Sequence, residues 1–144
     1  MIDFHLRKAL IEDSEFLLEN RNNPEIYKYF HNNKPVERSD HEKWYASALT
    51  SNNNLVYIAE SDSEKVGVIQ LRIIDSTGLV SIYISPIHHG KGYALRSLNA
   101  LKVYAQEMGL KNLTAEVVIE NEASQRLFEK SGFNKSYITY TYNL

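Results

Sequence analysis

The sequence contains no cysteine, little proline or glycine, and no surplus of charge of either sign. Its 144 residues include 3 Pro and 6 Gly, and 16 Lys and Arg stand against 18 Asp and Glu. The lack of cysteine excludes disulfides, thiolate metal sites and a cysteine nucleophile. A formal net charge of -2 provides no positive field for a phosphate backbone, so we expect no nucleic-acid partner.

Long apolar runs, repeats and low-complexity tracts are also missing. Residues 1–7 show no basic and apolar pattern of a secretion signal, and no later segment has the length of a membrane span. We therefore expect a cytoplasmic protein with no membrane partner. With 43% hydrophobic residues and no linker, residues 1–144 are expected to form a single domain.

The periodicities that are present predict a mixed α+β protein. A strand near Phe4 precedes three short helices, for which Asp13, Asn23 and the capping box at Ser39 are the expected starts. The third helix should turn Trp44 toward a core. The later elements are expected as strands at 55–59, 65–74, 78–85, 113–119 and 137–142, and as helices at 91–108 and 122–131.

The most informative segment is 82–94, where a strand stops at a proline and a long helix follows a glycine-bearing turn. Glycines let the backbone approach a ligand, and the free amides of a helix start suit an anion such as pyrophosphate. Alone, the pattern is equally typical of a tight turn. Leu95 breaks the dinucleotide fingerprint, and Gly92 breaks the P-loop pattern. Tyr45 replaces the second histidine of a zinc helix, and we expect no metal.

A second segment, 121–133, reads as a helix with Asn121 at its N-cap and Gly132 at its end. In this order the two segments resemble the GCN5-related N-acetyltransferase (GNAT) family. Gly92 and Ala94 match the family's pyrophosphate signature, and His89 departs from its first position. The later segment matches the family at the positions Asn121, Ser124, Leu127, Glu129, Lys130, Gly132 and Phe133.

The resemblance implies the GNAT fold, a central, mixed, mostly antiparallel splayed sheet flanked by helices, here with a shortened C-terminal strand region. It also implies acetyl-CoA as the acetyl donor. The residues implied to contact that donor are Ile82, Tyr83, Ile84, His89, Gly90, Lys91, Gly92, Tyr93, Ala94, Asn121 and Phe128.

The resemblance nominates Glu116 as the catalytic base, since ribosomal-protein acetyltransferases of the family place a carboxylate five residues before the asparagine. The alternative is a solvent-facing glutamate paired with a cross-strand lysine. His31, His41 and His88 are further candidates. Phe128 stands where many relatives have the tyrosine that protonates the departing sulfur, so we expect slower chemistry or another tyrosine in that role.

For the acceptor, the segments around Arg21 and Trp44 resemble those of relatives that acetylate amino sugars on nucleotides. Arg21 is then a candidate phosphate contact, and Tyr27 or Trp44 a ring that stacks on a sugar. A surface ion pair for Arg21 and core packing for Trp44 compete with these roles. Protein N-termini, small polyamines and a non-catalytic acyl-CoA-binding module are the rival functions. Only one strand fits after Phe133, so a homodimer is expected to cover the open sheet edge.

Overall fold

Strand pairing joins five strands into one sheet in chain order. The computed structural model describes residues 3–144. The elements are β1 (Phe4–Lys8), α1 (Ser14–Arg21), α2 (Pro24–Tyr27), α3 (Arg38–Leu49), β2 (Asn54–Ser61), β3 (Glu64–Ile74), β4 (Thr77–Ile84), α4 (Tyr93–Glu107), β5 (Asn112–Ala115) and α5 (Glu122–Lys130).

The sheet is mixed because one connection is a helical crossover. Strands β1 to β4 pair antiparallel: short turns join β2 to β3 and β3 to β4, and the helices α1 to α3 lie between β1 and β2. Helix α4 then carries the chain back so that β5 pairs parallel to β4. The β4–β5 pairing ends at Val80 and Ala115, and the two strands diverge beyond it. The α+β prediction and the mixed, splayed sheet are confirmed.

Helices pack on both faces of the sheet. On one face, Ile69 and Leu71 of β3 pack with Leu98 and Leu101 of α4, and all four are fully buried. On the other, Ile58 and Val68 pack with Leu17 and Tyr45 of the N-terminal helices. Because side chains alternate along a strand, these two sets define the faces of the residues in β3 from Val68 onward and of their partners, beyond the register shift at Ala59 and Glu60.

One expected helix start is wrong, and another has the expected position but not the expected capping bond. Helix α3 begins at Arg38 after an extended Glu37, so Ser39 lies inside the helix. The chain is fixed just before α3 by Asn22, whose side-chain amide donates to the carbonyl oxygen of Val36 and accepts the Val36 N–H. The helix therefore begins before Ser39. Asp13 precedes α1 but makes no capping bond there. Its carboxylate instead turns inward and pairs with Arg7 and Lys65.

Asn23 caps α2 as expected, since its side-chain oxygen accepts the amide of Glu25 at 3.0 Å. The C-terminal prediction is wrong: residues 134–144 form neither helix nor strand, although a strand was expected over 137–142. Strand β5 is also shorter than the predicted 113–119, because it loses its neighbour where β4 diverges. No helix among residues 3–144 combines the length and the apolarity that crossing a bilayer requires.

Candidate active site

The turn between β4 and α4 is shaped by two glycines in a left-handed conformation. The φ angles of Gly90 and Gly92 are 78° and 80°, and a Cβ built at either position would meet nothing within 4 Å. Glycine is therefore required here by the backbone angle, which costs other L-residues about 1–2 kcal/mol, and not by lack of space.

This turn leaves a run of free backbone donors. Within the described chain, the amides of residues 90–95 donate to no protein acceptor. They open α4, a helix of 15 residues whose dipole adds positive potential at the same end. His89 does not fill the turn, because its Nε2 lies 2.7 Å from the carbonyl oxygen of Ile84. Such an arrangement fits a diphosphate.

A cleft of about 1040 Å³ runs from this turn along the gap between β4 and β5. The splay of the two strands opens it. It brings together every residue predicted to bind the donor except Lys91, which is exposed outside the cleft. The predicted residues on its wall are Ile82, Tyr83, Ile84, His89, Gly90, Gly92, Tyr93, Ala94, Asn121 and Phe128, together with Glu116.

Asn121 and Phe128 hold the far wall. The Asn121 side-chain oxygen accepts the amide of Ser124 at 3.2 Å, which is the N-cap role read from the sequence. Its amide nitrogen has no partner in the described chain and is free for a ligand. Phe128 is buried and packs edge-on against Phe133, with ring centroids 5.0 Å apart. No hydroxyl is available at this position.

Glu116 meets a histidine across the mouth of the cleft. Its Oε1 lies 3.2 Å from Nε2 of His31, which belongs to the segment between α2 and α3. Both side chains line the cleft and both are exposed to solvent. The cross-strand lysine of the alternative interpretation is not its partner. A carboxylate and an imidazole in contact can together accept and release a proton.

Three tyrosines also line the cleft, Tyr29, Tyr83 and Tyr93. Burial raises the pKa of the Tyr83 phenol well above its ordinary value, because the phenolate would lose its hydration. Tyr83 therefore stays protonated. Its phenol is a hydrogen-bond donor but a weaker acid than an exposed phenol. The expectation that another tyrosine protonates the departing sulfur in place of Phe128 therefore stays a prediction.

The three residues predicted to bind the acceptor do not lie in one site. Trp44 is half-buried and lines both the main cleft and an adjoining cavity of about 380 Å³. Arg21 lines only the smaller cavity, where its terminal nitrogens donate to the carbonyl oxygens of Asn32 and Lys34 and its guanidinium covers the Phe30 ring at 4.8 Å. Tyr27 lines neither cavity.

Sequence reasoning missed the floor of the acceptor side. Gln70, Arg72 and Ser81 line the cleft on the face of the sheet that carries the N-terminal helices. Their signal was a polar residue at every second position of central strands, which normally indicates an uncovered face. Within residues 3–144, no group of three or more His, Asp or Glu is arranged to hold a metal.

Comparison with known proteins decides the family. A family model described as an acetyltransferase (GNAT) domain matches residues 3–134. The chain belongs to the GNAT family. The fold is that of an N-acetyltransferase domain of this family, and acetyl-CoA is its acetyl donor, as the resemblance implied. The residues that bind the donor stay a prediction.

Several named GNAT proteins are similar to this chain. A [ribosomal protein bS18]-alanine N-acetyltransferase of Haemophilus ducreyi is 28% identical over 112 residues, which is 74% of this chain and 77% of that protein. A structure of spermidine N-acetyltransferase from Vibrio cholerae in complex with CoA and spermine has a TM-score of 0.86 at 26% identity, covering 93% of this chain and 82% of that one.

An uncharacterised protein of Methanocaldococcus jannaschii is 27% identical over 135 residues, or 91% of this chain. The chain spans only 28% of the length of that relative. A solved domain from the same organism has a TM-score of 0.84 at 24% identity, covers 94% of this chain and 91% of that one, and shares the fold.

Proposed function

We propose that this GNAT domain transfers the acetyl group of acetyl-CoA to the primary amine of an amino sugar carried on a nucleotide. The observation that supports this acceptor is the composition of the cleft beyond Glu116. Its floor consists of uncharged polar side chains and one arginine, and Trp44, Tyr29 and Phe30 line its walls. Aromatic faces and amide groups are the usual partners of a sugar ring.

A polyamine is the second candidate acceptor. The cleft carries four carboxylates, which suit a polycation: those of Glu25, Glu116, Glu120 and Glu122. The similar protein of V. cholerae is named a spermidine N(1)-acetyltransferase, with 29% identity over 128 residues. A protein N-terminus is the third candidate, from the similarity to the H. ducreyi enzyme.

The proposed chemistry requires a neutral amine. Acetyl-CoA supplies the acetyl group as a thioester. The amine nitrogen forms the new C–N bond as the C–S bond breaks, and Glu116, in contact with His31, takes the proton that the nitrogen loses. Thiols titrate near about 8.5, so the sulfur can depart as a thiolate and collect a proton from water, without a donor at position 128.

An amine panel tests the acceptor. The protein is incubated with acetyl-CoA and, in parallel, UDP-linked amino sugars, spermidine and a peptide with a free N-terminal alanine, and free thiol is measured. We expect the highest kcat/KM with an amino-sugar nucleotide. A preference for spermidine or the peptide rejects the proposed acceptor. Binding of CoA without thiol release in the presence of any of these amines would favour a non-catalytic acyl-CoA-binding module.

The expected homodimer also stays a proposal. Strand β5 is the last strand of the sheet in the described chain, so its outer edge carries unpaired backbone groups. The segment 137–142 has the alternating aromatic and β-branched composition of a strand but exposes its side chains. We propose that the edge of one subunit is covered by a second copy.

A further inference from the structure

The part of the cleft farthest from the donor turn lies on a bare patch of the sheet. On the face that carries Val56, Ile58 and Val68, the helices α1 and α3 cover the strands only as far as these buried residues. Beyond them the same face presents Gln70 and Arg72 of β3. Arg72 is exposed in the middle of the sheet.

Strand register places this patch in rows. Arg72 pairs with Asn54 of β2 on one side and Leu79 of β4 on the other. In the next row, Gln70 pairs with Ser81. Glu116 follows Ala115, the partner of Val80, at the point where β5 diverges from the row of Ser81. The cleft is lined by Asn54, Gln70, Arg72, Leu79, Ser81 and Glu116.

The patch is rich in hydrogen-bond donors without partners. Within residues 3–144, no hydrogen bond is made by the side chains of Asn54, Gln70, Arg72 and Ser81, which all line the cleft. Asn54 donates only its backbone amide, to the hydroxyl of Ser51. Arg72 takes part in no ion pair among the same residues. The other cations on the cleft wall are Lys28, which pairs with Glu25 at 3.2 Å, and Lys130 at the donor end.

We propose that Arg72, with Asn54, Gln70 and Ser81, forms a subsite for the diphosphate of the acceptor. The guanidinium fork matches phosphate oxygens, and the amides and the hydroxyl complete a donor set around it. The proposal rests on the proposed function, which it deepens by naming the group that recognises the nucleotide part.

The position of the subsite fits the size of such an acceptor. Glu116 is two strands and two residues away from Arg72, which corresponds to at least about 12 Å between the Cα atoms at strand spacings of about 4.8 Å and rises of about 3.3 Å, because β5 diverges from β4 at this point. Both side chains line the one cleft, so a sugar between a phosphate beside the Arg72 guanidinium and an amine beside Glu116 can lie within it. Arg72 takes the role that the sequence suggested for Arg21, whose terminal nitrogens are already bonded.

Equilibrium binding of UDP tests the subsite without requiring turnover. The protein is first saturated with CoA, so that the donor turn is occupied, and UDP is titrated calorimetrically into the wild type, Arg72→Gln and Lys111→Gln. Lys111 precedes β5, is exposed and lies outside the cleft, so its variant controls for the loss of one charge. Circular dichroism checks that each variant is folded.

We expect Arg72→Gln to weaken UDP binding at least about tenfold, as is usual when a charge-assisted hydrogen bond is lost, and Lys111→Gln to change it less than about twofold. Equal UDP affinity in Arg72→Gln and the wild type, or no UDP binding to the CoA-saturated wild type, overturns the subsite. An amine panel without activity on amino-sugar nucleotides would reject the proposed acceptor while leaving this binding result intact.

Discussion

At the scale of single residues, the contact between Glu116 and His31 is the feature that turns a ligand cleft into a candidate reaction site. The two side chains are 85 positions apart in sequence and 3.2 Å apart in space. Neither is buried, so the contact brings together two groups that can exchange protons with solvent.

Removing the base should slow the chemical step and change its pH dependence. We expect Glu116→Gln to lower kcat by about 10²- to 10⁴-fold with little change in the KM for acetyl-CoA, because a positioned base contributes that much. His31→Asn should lower kcat less and shift the pH profile if the imidazole relays the proton. Steady-state kinetics from pH 6 to 9 measure both. Wild-type kcat in Glu116→Gln would refute its assignment as base.

The phenylalanine at position 128 permits a gain-of-function test. Phe128 lines the cleft beside Asn121 and Leu127, so a tyrosine at this position would stand on the wall of the cleft. We expect Phe128→Tyr to raise kcat, since a phenol can protonate the departing sulfur. An unchanged kcat would show that departure of the thiol does not limit turnover.

Asp13 shows how strongly a buried charge depends on its partners. Its carboxylate is almost fully buried, lies 2.7 Å from both Arg7 and Lys65, and accepts the amide of Leu10. Burial alone would raise the pKa of this carboxyl, but the hydrogen bonds from Arg7 and Lys65 outweigh burial and hold the pKa far below its ordinary value.

Asp13→Asn should therefore lower the free energy of unfolding by about 3 kcal/mol, because Lys65 loses its carboxylate and Arg7 keeps only its pairing with Glu60. The folded carboxyl has a lower pKa than the unfolded one, so its stabilisation is complete above about pH 4 to 5 and is lost as the pH falls. Urea denaturation between pH 3 and 7 should show a shallower pH dependence in the variant. Asp75→Asn, in an exposed turn, should change stability by less than about 0.5 kcal/mol.

At the scale of elements, the start of α4 and its end offer a matched pair of glycines. Gly92 opens the helix with a φ of 80°, Gly109 follows it with a φ of 81°, and neither position would crowd a Cβ. Alanine at either position must adopt the same left-handed backbone. Only Gly92 belongs to the turn with the free amides.

We expect Gly92→Ala and Gly109→Ala to lower the free energy of unfolding by similar amounts, about 1–2 kcal/mol each. Only Gly92→Ala should weaken acetyl-CoA binding, because relief of the strain displaces the amides that hold the diphosphate. Thermal denaturation and calorimetric titration measure the two effects. Equal acetyl-CoA affinity in both variants would argue against a backbone-built diphosphate site.

At the scale of the whole molecule, the C-terminal segment lacks a partner. Tyr137, Tyr140 and Tyr142 are 93%, 90% and 86% exposed, although the segment alternates like a strand. Exposed aromatic rings in such numbers usually indicate an interaction surface.

Light scattering coupled to size exclusion should give the mass of a dimer at micromolar concentration. We expect Tyr140→Asp to shift the distribution toward monomer, because a carboxylate in a paired strand would lose hydration. Asp62→Asn, a substitution in the exposed hairpin turn between β2 and β3, is the control and should leave the mass unchanged. A monomeric wild type at these concentrations contradicts the proposal.

What the sequence determined by itself is local. The turn with Gly90 and Gly92, the caps at Asn23 and Asn121 and the long helix α4 follow from interactions between residues no more than four apart, which leave their pattern in the sequence. Together with the family resemblance they were sufficient to predict the α+β fold and acetyl-CoA as the acetyl donor.

Only the tertiary structure decided the rest. The inward turn of Asp13, the contact of Glu116 with His31, the engagement of Arg21 by carbonyl oxygens and the exposure of Arg72 on a bare sheet face involve groups from distant segments. These contacts and exposures are determined by the register of the strands and by how much of each sheet face the helices cover. Both result from packing the whole chain, and no single segment encodes them.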